Sequence, residues 1–325
     1  MDDLFRLLFK AASVEPTYHE EFCLAVKQSA SVCSECHDVC PHQAITIKRK
    51  VEIDDVDCTG CGLCVQVCPS QALETNVRYQ PSATLKCSRV SGKTETVHCL
   101  GRLRPSDLVL LNTGKKTTLA HADCNRCPIG SEATKETIEN TRKTAEVLNE
   151  LLGRRFEVII VETDTLEEDL DKDKLSRRDL FRRGWRNVQH VAAEALAPLA
   201  IGEDDDSLPT EMQRQYQIIE AANPDLDALV PWRLPRVAEG CILCPVCTNV
   251  CPTQAFRRDF EAADREGTVL TLDPERCMGC DACVKACPVK VITMDEGVTW
   301  EELSGGELEA YYREPKKGPK GGFAR

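Results

Sequence analysis

Apolar and polar side chains alternate over Ala44–Ile47 and again over Val51–Ile53, the two-residue period of a short, half-buried hairpin. Val269–Leu272 repeats the pattern far downstream. Between them the periodicity changes. Ala83–Ser88, Thr117–His121 and Phe156–Val161 predict strands, and Pro105–Leu111 predicts a short helix. In Ala133–Leu152, the residues Ile138, Ala145, Leu148, Leu151 and Leu152 recur at helical spacing, and Gly153 is a natural stop. Asn187–Leu199 and Glu211–Ala222 read as two more helices, parted by an exposed turn over the polar run Glu203–Ser207 and Pro209. The pattern predicts an α+β chain, with hairpin-bearing modules on either side of a segment where strand and helix alternate.

The chain has 325 residues, enough for two or three compact units. Aromatics make up 5% of them, so packed rings do not build the core. Small modules with little apolar area need another source of stability, and twenty cysteines offer one through metal–thiolate bonds. A disulfide framework would require an oxidising compartment and an export signal. Met1–Lys10 places Asp2 and Asp3 before a very short apolar run, which reads as an amphipathic helix and not as a leader. Reduced thiols in the cytoplasm are the expectation. No stretch approaches the roughly 18 uncharged apolar residues of a membrane span, so any membrane association would be peripheral. A net charge of −12 argues against nucleic acid as a partner and suits steering toward a basic protein surface.

The cysteines fall in regular sets. Cys58, Cys61, Cys64 and Cys68 with Pro69 spell C-x2-C-x2-C-x3-C-P. Cys241, Cys244, Cys247 and Cys251 with Pro252 repeat it, as do Cys277, Cys280, Cys283 and Cys287 with Pro288. Three thiolates in one tight loop reach three corners of a cubane cluster, and the fourth, beside proline, points to a neighbouring one. Gly60, Gly62 and Gly279 let the backbone wrap closely and leave amides free for the sulfides. Structural zinc sites instead pair two separated C-x2-C knuckles. A further copy is incomplete. Cys33, Cys36 and Cys40 with Pro41 fit, but Ala30 holds the leading position, and Cys23 upstream is the expected replacement. The rival is a three-iron cluster, with Cys23 a buried core residue.

These two pairs of motifs resemble the bacterial-type ferredoxins that carry two 4Fe-4S clusters, over about 55–60 residues each. The resemblance implies (βαβ)2 modules, four 4Fe-4S clusters and one-electron transfer between clusters whose ligands cross over. Cys23, Cys33, Cys36 and Cys68 would hold the first; Cys40, Cys58, Cys61 and Cys64 the second. Cys241, Cys244, Cys247 and Cys287 would hold the third; Cys251, Cys277, Cys280 and Cys283 the fourth. Ser70-Gln71-Ala72 and Thr253-Gln254-Ala255 echo each other, as duplication of one module predicts.

Cys87, Cys99, Cys124 and Cys127 fall in the middle segment. Two early and two near a later strand end, they resemble the set in thioredoxin-like 2Fe-2S ferredoxins. Cys99-Leu100-Gly101-Arg102 is also similar to the small cluster subunit of methanogen-type hydrogenases. The C-x2-C spacing departs from the longer final gap of the former family. What the resemblance implies is a fifth centre, 2Fe-2S or 4Fe-4S, with structural zinc as the alternative. His98 and His121 stand beside ligand positions, yet are expected to pack or tune rather than ligate.

Five regions are expected: a dicluster ferredoxin module at 1–80, a small α/β thioredoxin-like domain at 81–165, a helical connector at 166–235, a second dicluster module at 236–300 and a flexible tail at 301–325. In the connector, Ser176-Arg177-Arg178-Asp179-Leu180-Phe181 imitates a twin-arginine export motif but lies deep inside the chain. With Trp185 and the motifs downstream, it resembles the ferredoxin-like accessory protein of periplasmic nitrate reductase. Trp232, ahead of Cys241, either shields a cluster or packs on the connector. No phosphate loop, dinucleotide fingerprint or acid–base constellation specifies chemistry of its own. The resemblances imply an electron-relay subunit of a multi-subunit oxidoreductase. Its redox partner would be a catalytic subunit such as a formate dehydrogenase, another molybdenum or tungsten enzyme, or a hydrogenase. The alternatives are a cluster-containing maturation or interaction factor for a metalloenzyme, which the Arg177-Arg178 stretch favours, and a cluster store.

Overall fold

The computed structural model describes residues 14–29, 32–75, 82–111, 115–166, 207–260 and 267–314, and the chain divides into two compact units, Met1–Pro224 and Asp225–Arg325. The connector motif at Arg177 and Arg178, the helix expected over Asn187–Leu199, residue Ala30 and the tail beyond Glu314 lie outside the described residues.

The first unit opens with β1 (Thr17–Tyr18), short helices α1 (Leu24–Lys27) and α2 (Glu35–Asp38), and a hairpin of β2 (Ile45–Ile47) and β3 (Val51–Ile53). Helix α3 (Leu63–Val67) and β4 (Leu73–Glu74) follow. β1 pairs antiparallel with β4, and β2 with β3. Ile45 and Val51 turn into the core while Thr46 and Glu52 face water, the alternation expected of a half-buried hairpin. Phe22, Val65 and Leu73 share that core with Cys23, Cys36 and Cys64. Each buried aliphatic side chain contributes about 1.5–3 kcal/mol. So few of them leave much of the interior to thiols.

A parallel sheet follows in the same unit: β5 (Thr84–Cys87), β6 (Glu95–Val97), α4 (Pro105–Leu111), β7 (Lys116–His121), α5 (Ala133–Leu151) and β8 (Glu157–Glu162). Its strands run parallel throughout, in the order β6-β5-β7-β8. Strand and helix alternate here as expected, and the strand order is that of a doubly wound sheet. α5 buries Ile138, Thr141, Ala145 and Leu148, spaced three and four apart, and packs on α4 and β8. Gly153, at φ +64°, closes its end. α6 (Thr210–Ala222), expected as part of a connector, docks on this layer. Its buried Glu211 accepts the Ser106 backbone N–H at 3.2 Å and the Ser106 hydroxyl.

The second unit contains β9 (Leu234–Val237), α7 (Val246–Val250), β10 (Phe256–Asp259), β11 (Thr268–Leu272), α8 (Ala282–Ala286), β12 (Ile292–Asp295), α9 (Trp300–Ser304) and β13 (Leu308–Arg313). β9 pairs with β12 and β10 with β11, the pairing seen for β1–β4 and β2–β3. The equivalence reaches single bonds. The Asp273 N–H meets the Ala255 carbonyl at 2.8 Å, just as the Asp54 N–H meets that of Ala44 at 2.8 Å. The expected boundary at residue 300 needs correction. A capping box of Thr299 and Glu302 starts α9, and β13 adds to β11, so residues 301–313 belong to the fold and not to a flexible tail. β13 is a half-exposed edge strand without apolar alternation, so its sequence carries no strand signal. Trp232 is buried in this unit.

Candidate metal centres

Each of the four Cys-Pro sequences ends in the same turn. The third residue after the cysteine is left-handed in every case: Gln43 at φ 53°, Gln71 at 52°, Gln254 at 57° and Lys290 at 54°. Its N–H donates to the carbonyl of Cys40, Cys68, Cys251 or Cys287, at 3.2, 3.1, 3.4 and 3.3 Å respectively. A non-glycine residue held this way costs about 1–2 kcal/mol, so tertiary structure must hold it there. In two of the turns the following amide reaches the sulfur: Ala72 N–H to Cys68 Sγ at 3.2 Å and Ala255 N–H to Cys251 Sγ at 3.3 Å. The motif that lacks its leading cysteine turns like the complete ones.

The turns gather thiols from separate loops. Cys33 and Cys36 face Cys23 and Cys68, and burial followed by those neighbouring thiols pushes Cys36 up to about 12. The Tyr18 phenol lies beside Cys23 and is also raised, by burial first and that thiol second. Cys64 is raised by burial, then by Cys61 and Cys58, with Cys40 close by. In the second unit, Cys247 is pushed up to about 11 by burial and then by Cys241 and Cys244. Burial raises Cys283 as well, followed by Cys277, Cys280 and Cys251. Cys287 is buried at the end of α8.

Clustered, buried thiols resist ionisation until a cation is supplied. Backbone N–H groups already work the other way. Those of Glu35, Gly60, Leu63, Gly101, Gly279 and Ala282 bond to the sulfur two residues before them and lower its pKa. Each loop is thus a small nest of amides waiting for negative sulfur. None of the twenty cysteines is in a disulfide.

The middle set is positioned by sheet topology. Cys87 ends β5, Cys99 follows β6, and Cys124 and Cys127 follow β7. All four therefore lie at the carboxyl edge, where the order reverses between β6-β5 and β5-β7. In open α/β sheets that reversal leaves a crevice, and ligands bind there. A cavity at this point is lined by the four cysteines with His98, His121, Ile129 and Gly130. Burial first, then neighbouring thiols, pushes Cys124 up to about 11; Cys99 stands at about 12, with burial again the largest cause. His98 Nε2 hydrogen-bonds the Thr59 carbonyl at 2.8 Å, and His121 Nδ1 that of Ala122 at 2.8 Å. Four thiols around one cavity form a donor set that fits an iron–sulfur cluster and also tetrahedral zinc.

The edge rests on the neighbouring ferredoxin loop. Cys61, Leu63 and Cys99 form one buried apolar cluster, and the Cys61 thiol acts on that of Cys99. The Thr59 hydroxyl donates to the Ile129 carbonyl at 2.6 Å, and Gln66 Nε2 donates to those of Gly101 at 3.1 Å and Leu103 at 2.6 Å. Spacing alone does not reveal this contact. Its one signal is Gly101, where a Cβ would stand 2.9 Å from the Cys61 carbonyl.

Two segments, residues 31–72 and 240–291, match the family model described as a 4Fe-4S dicluster domain. No curated protein and no solved structure matches the chain. Among the described residues no helix is long and apolar enough to cross a membrane. The two matched stretches are similar to 4Fe-4S dicluster domains, and that likeness points to an iron–sulfur electron-transfer protein.

Proposed function

We propose that all twenty cysteines are iron ligands, holding four 4Fe-4S clusters in the crossed sets given above and a fifth centre at Cys87, Cys99, Cys124 and Cys127. The fifth is 2Fe-2S or 4Fe-4S, and the position of its four cysteines at the switch point of a parallel sheet supports a bound group there. The chain then works as a cytoplasmic electron relay. It passes single electrons to or from a catalytic oxidoreductase subunit, of the formate dehydrogenase, molybdenum or tungsten enzyme, or hydrogenase type. The observation that carries this reading is the buried apolar cluster of Cys61, Leu63 and Cys99, in which a cysteine of the second set packs against one of the fifth. When bound, the clusters supply one-electron chemistry. The chain's own part is to exclude water, present amides to the sulfurs and fix the order of the centres.

Anaerobic purification with iron and sulfide assays and electron paramagnetic resonance tests the reading. About 18 iron atoms per chain are expected with a two-iron fifth centre, and about 20 with a four-iron one. Colourless protein, or zinc in place of iron, would end it. Mixed with a turning-over partner enzyme, the reduced centres should reoxidise within the catalytic cycle.

A further inference from the structure

Arg102 is 3% exposed, a depth at which arginine rarely goes unpaired. Its Nη1 donates to the Gly60 carbonyl at 3.4 Å, while its Nε is buried without a hydrogen-bond partner. Among the described residues no carboxylate forms an ion pair with it. A buried cation without an anion is costly unless the molecule supplies negative charge by another route. The loop it touches supplies three thiols, Cys58, Cys61 and Cys64. A Cβ on Gly60 would meet Arg102 Nη1 at 3.1 Å, and one on Gly62 would meet the Arg102 backbone at 2.7 Å. Arg102 and the Glu15 carboxylate both lie within electrostatic reach of Cys58.

The second unit contains the same arrangement with one difference. Arg233 Nη1 donates to the carbonyl of Gly279, the equivalent of Gly60, at 3.3 Å. This arginine is 42% exposed and pairs with Asp281 and Glu296, each at 3.5 Å. Water and two carboxylates already balance it.

We propose that Arg102 sets the redox potential of the centre held by Cys40, Cys58, Cys61 and Cys64, making it the more easily reduced of the two equivalent clusters. The inference rests on the reading of those four thiols as cluster ligands. Reduction adds one electron and no proton, so the cluster gains one negative charge. A fixed, dry guanidinium stabilises that form more than the oxidised one. The contact of Cys61 with Cys99 then makes this centre the collecting point beside the fifth set.

The test is a redox titration of the full chain, prepared without oxygen and followed by electron paramagnetic resonance. It compares wild type with Arg102→Gln, Arg102→Lys and Arg233→Gln, with iron and sulfide measured on each. Arg102→Gln should lower the reduction equilibrium of one 4Fe-4S centre at least tenfold, about 59 mV for a one-electron couple. Arg102→Lys should recover most of that loss, and Arg233→Gln should shift its own centre less than threefold. Full iron content with unmoved potentials in Arg102→Gln would overturn the proposal. So would an equal shift in Arg233→Gln, or loss of iron in both Arg102 variants, which would make the residue structural. Wild-type protein lacking iron would instead remove the ligand reading itself.

Discussion

The two dicluster modules share strand pairing, Cys-Pro turns and amide nests, yet their second loops sit in different surroundings. In the first unit, the loop at Cys58–Cys64 is covered by the α/β layer, with Arg102 and Gly101 against its backbone. In the second, the loop at Cys277–Cys283 meets a half-exposed arginine already paired with carboxylates. Motif spacing decides how thiols are presented. What covers the loop decides how the bound charge is balanced, and which neighbours a change will disturb.

The largest expected effects come from ligand loss. Cys61→Ala should remove about four iron atoms and also disturb the fifth centre, because its side chain packs on Cys99. Cys280→Ala, the same position in a unit with no fifth set, should remove about four iron atoms and one paramagnetic signal. Iron assays and spectra of both variants check the contrast. An undisturbed fifth signal in Cys61→Ala would break it.

A glycine sharpens it further. Gly62 stands at φ +84°, and a Cβ there would lie 2.7 Å from Arg102 Cα and 2.9 Å from Arg102 N, which is backbone that cannot step aside. The equivalent residue in the second module is Asp281, itself left-handed at φ 60°. Gly62→Asp should therefore cost more than about 3 kcal/mol, while Asp281→Gly should stay within about 1 kcal/mol. Denaturant melts of the iron-loaded proteins measure both. Tolerance of Gly62→Asp would mean that the covering layer is not firmly seated.

The hairpin Ile45–Ile47 with Val51–Ile53 was legible because a single buried face forces alternation. The helix Ala133–Leu151 was legible because a one-sided apolar stripe needs a partner surface. β6 was not, since Glu95 and Thr96 leave Val97 as its one buried side chain. The cysteine sets could be read from local spacing. Arg102 could not, because its importance comes from what the fold leaves out around it. Nor could the requirement for glycine at position 62, which is set by backbone from another layer. Local chemistry is written along the chain, whereas contacts between layers become visible once topology is known.

The units also shift carboxylates in opposite directions. Asp107, at the start of α4, is pushed up to about 6 by burial and then by the neighbouring Glu211. Asp295 is held below its usual range by the Gly297 N–H and then by Arg236. For Asp107 the folded value lies above the unfolded one of about 3.9, so the folded state holds the proton more tightly. Its stabilising contribution is full below that pH and is lost as pH rises through 6. Asp295 has the reverse sign, contributing above the unfolded value and losing that contribution as pH falls. Asp107→Asn keeps an acceptor for the Arg104 N–H, now at 2.9 Å, and abolishes the titration. Between pH 5 and 7.5 the wild type should lose about 1–1.5 kcal/mol relative to this variant, read from amide exchange in α4 and α6. Exchange in β9 and β12 should show no such difference between the two proteins. An identical pH profile for wild type and Asp107→Asn in α4 and α6 would show that burial does not hold a proton on Asp107 in solution.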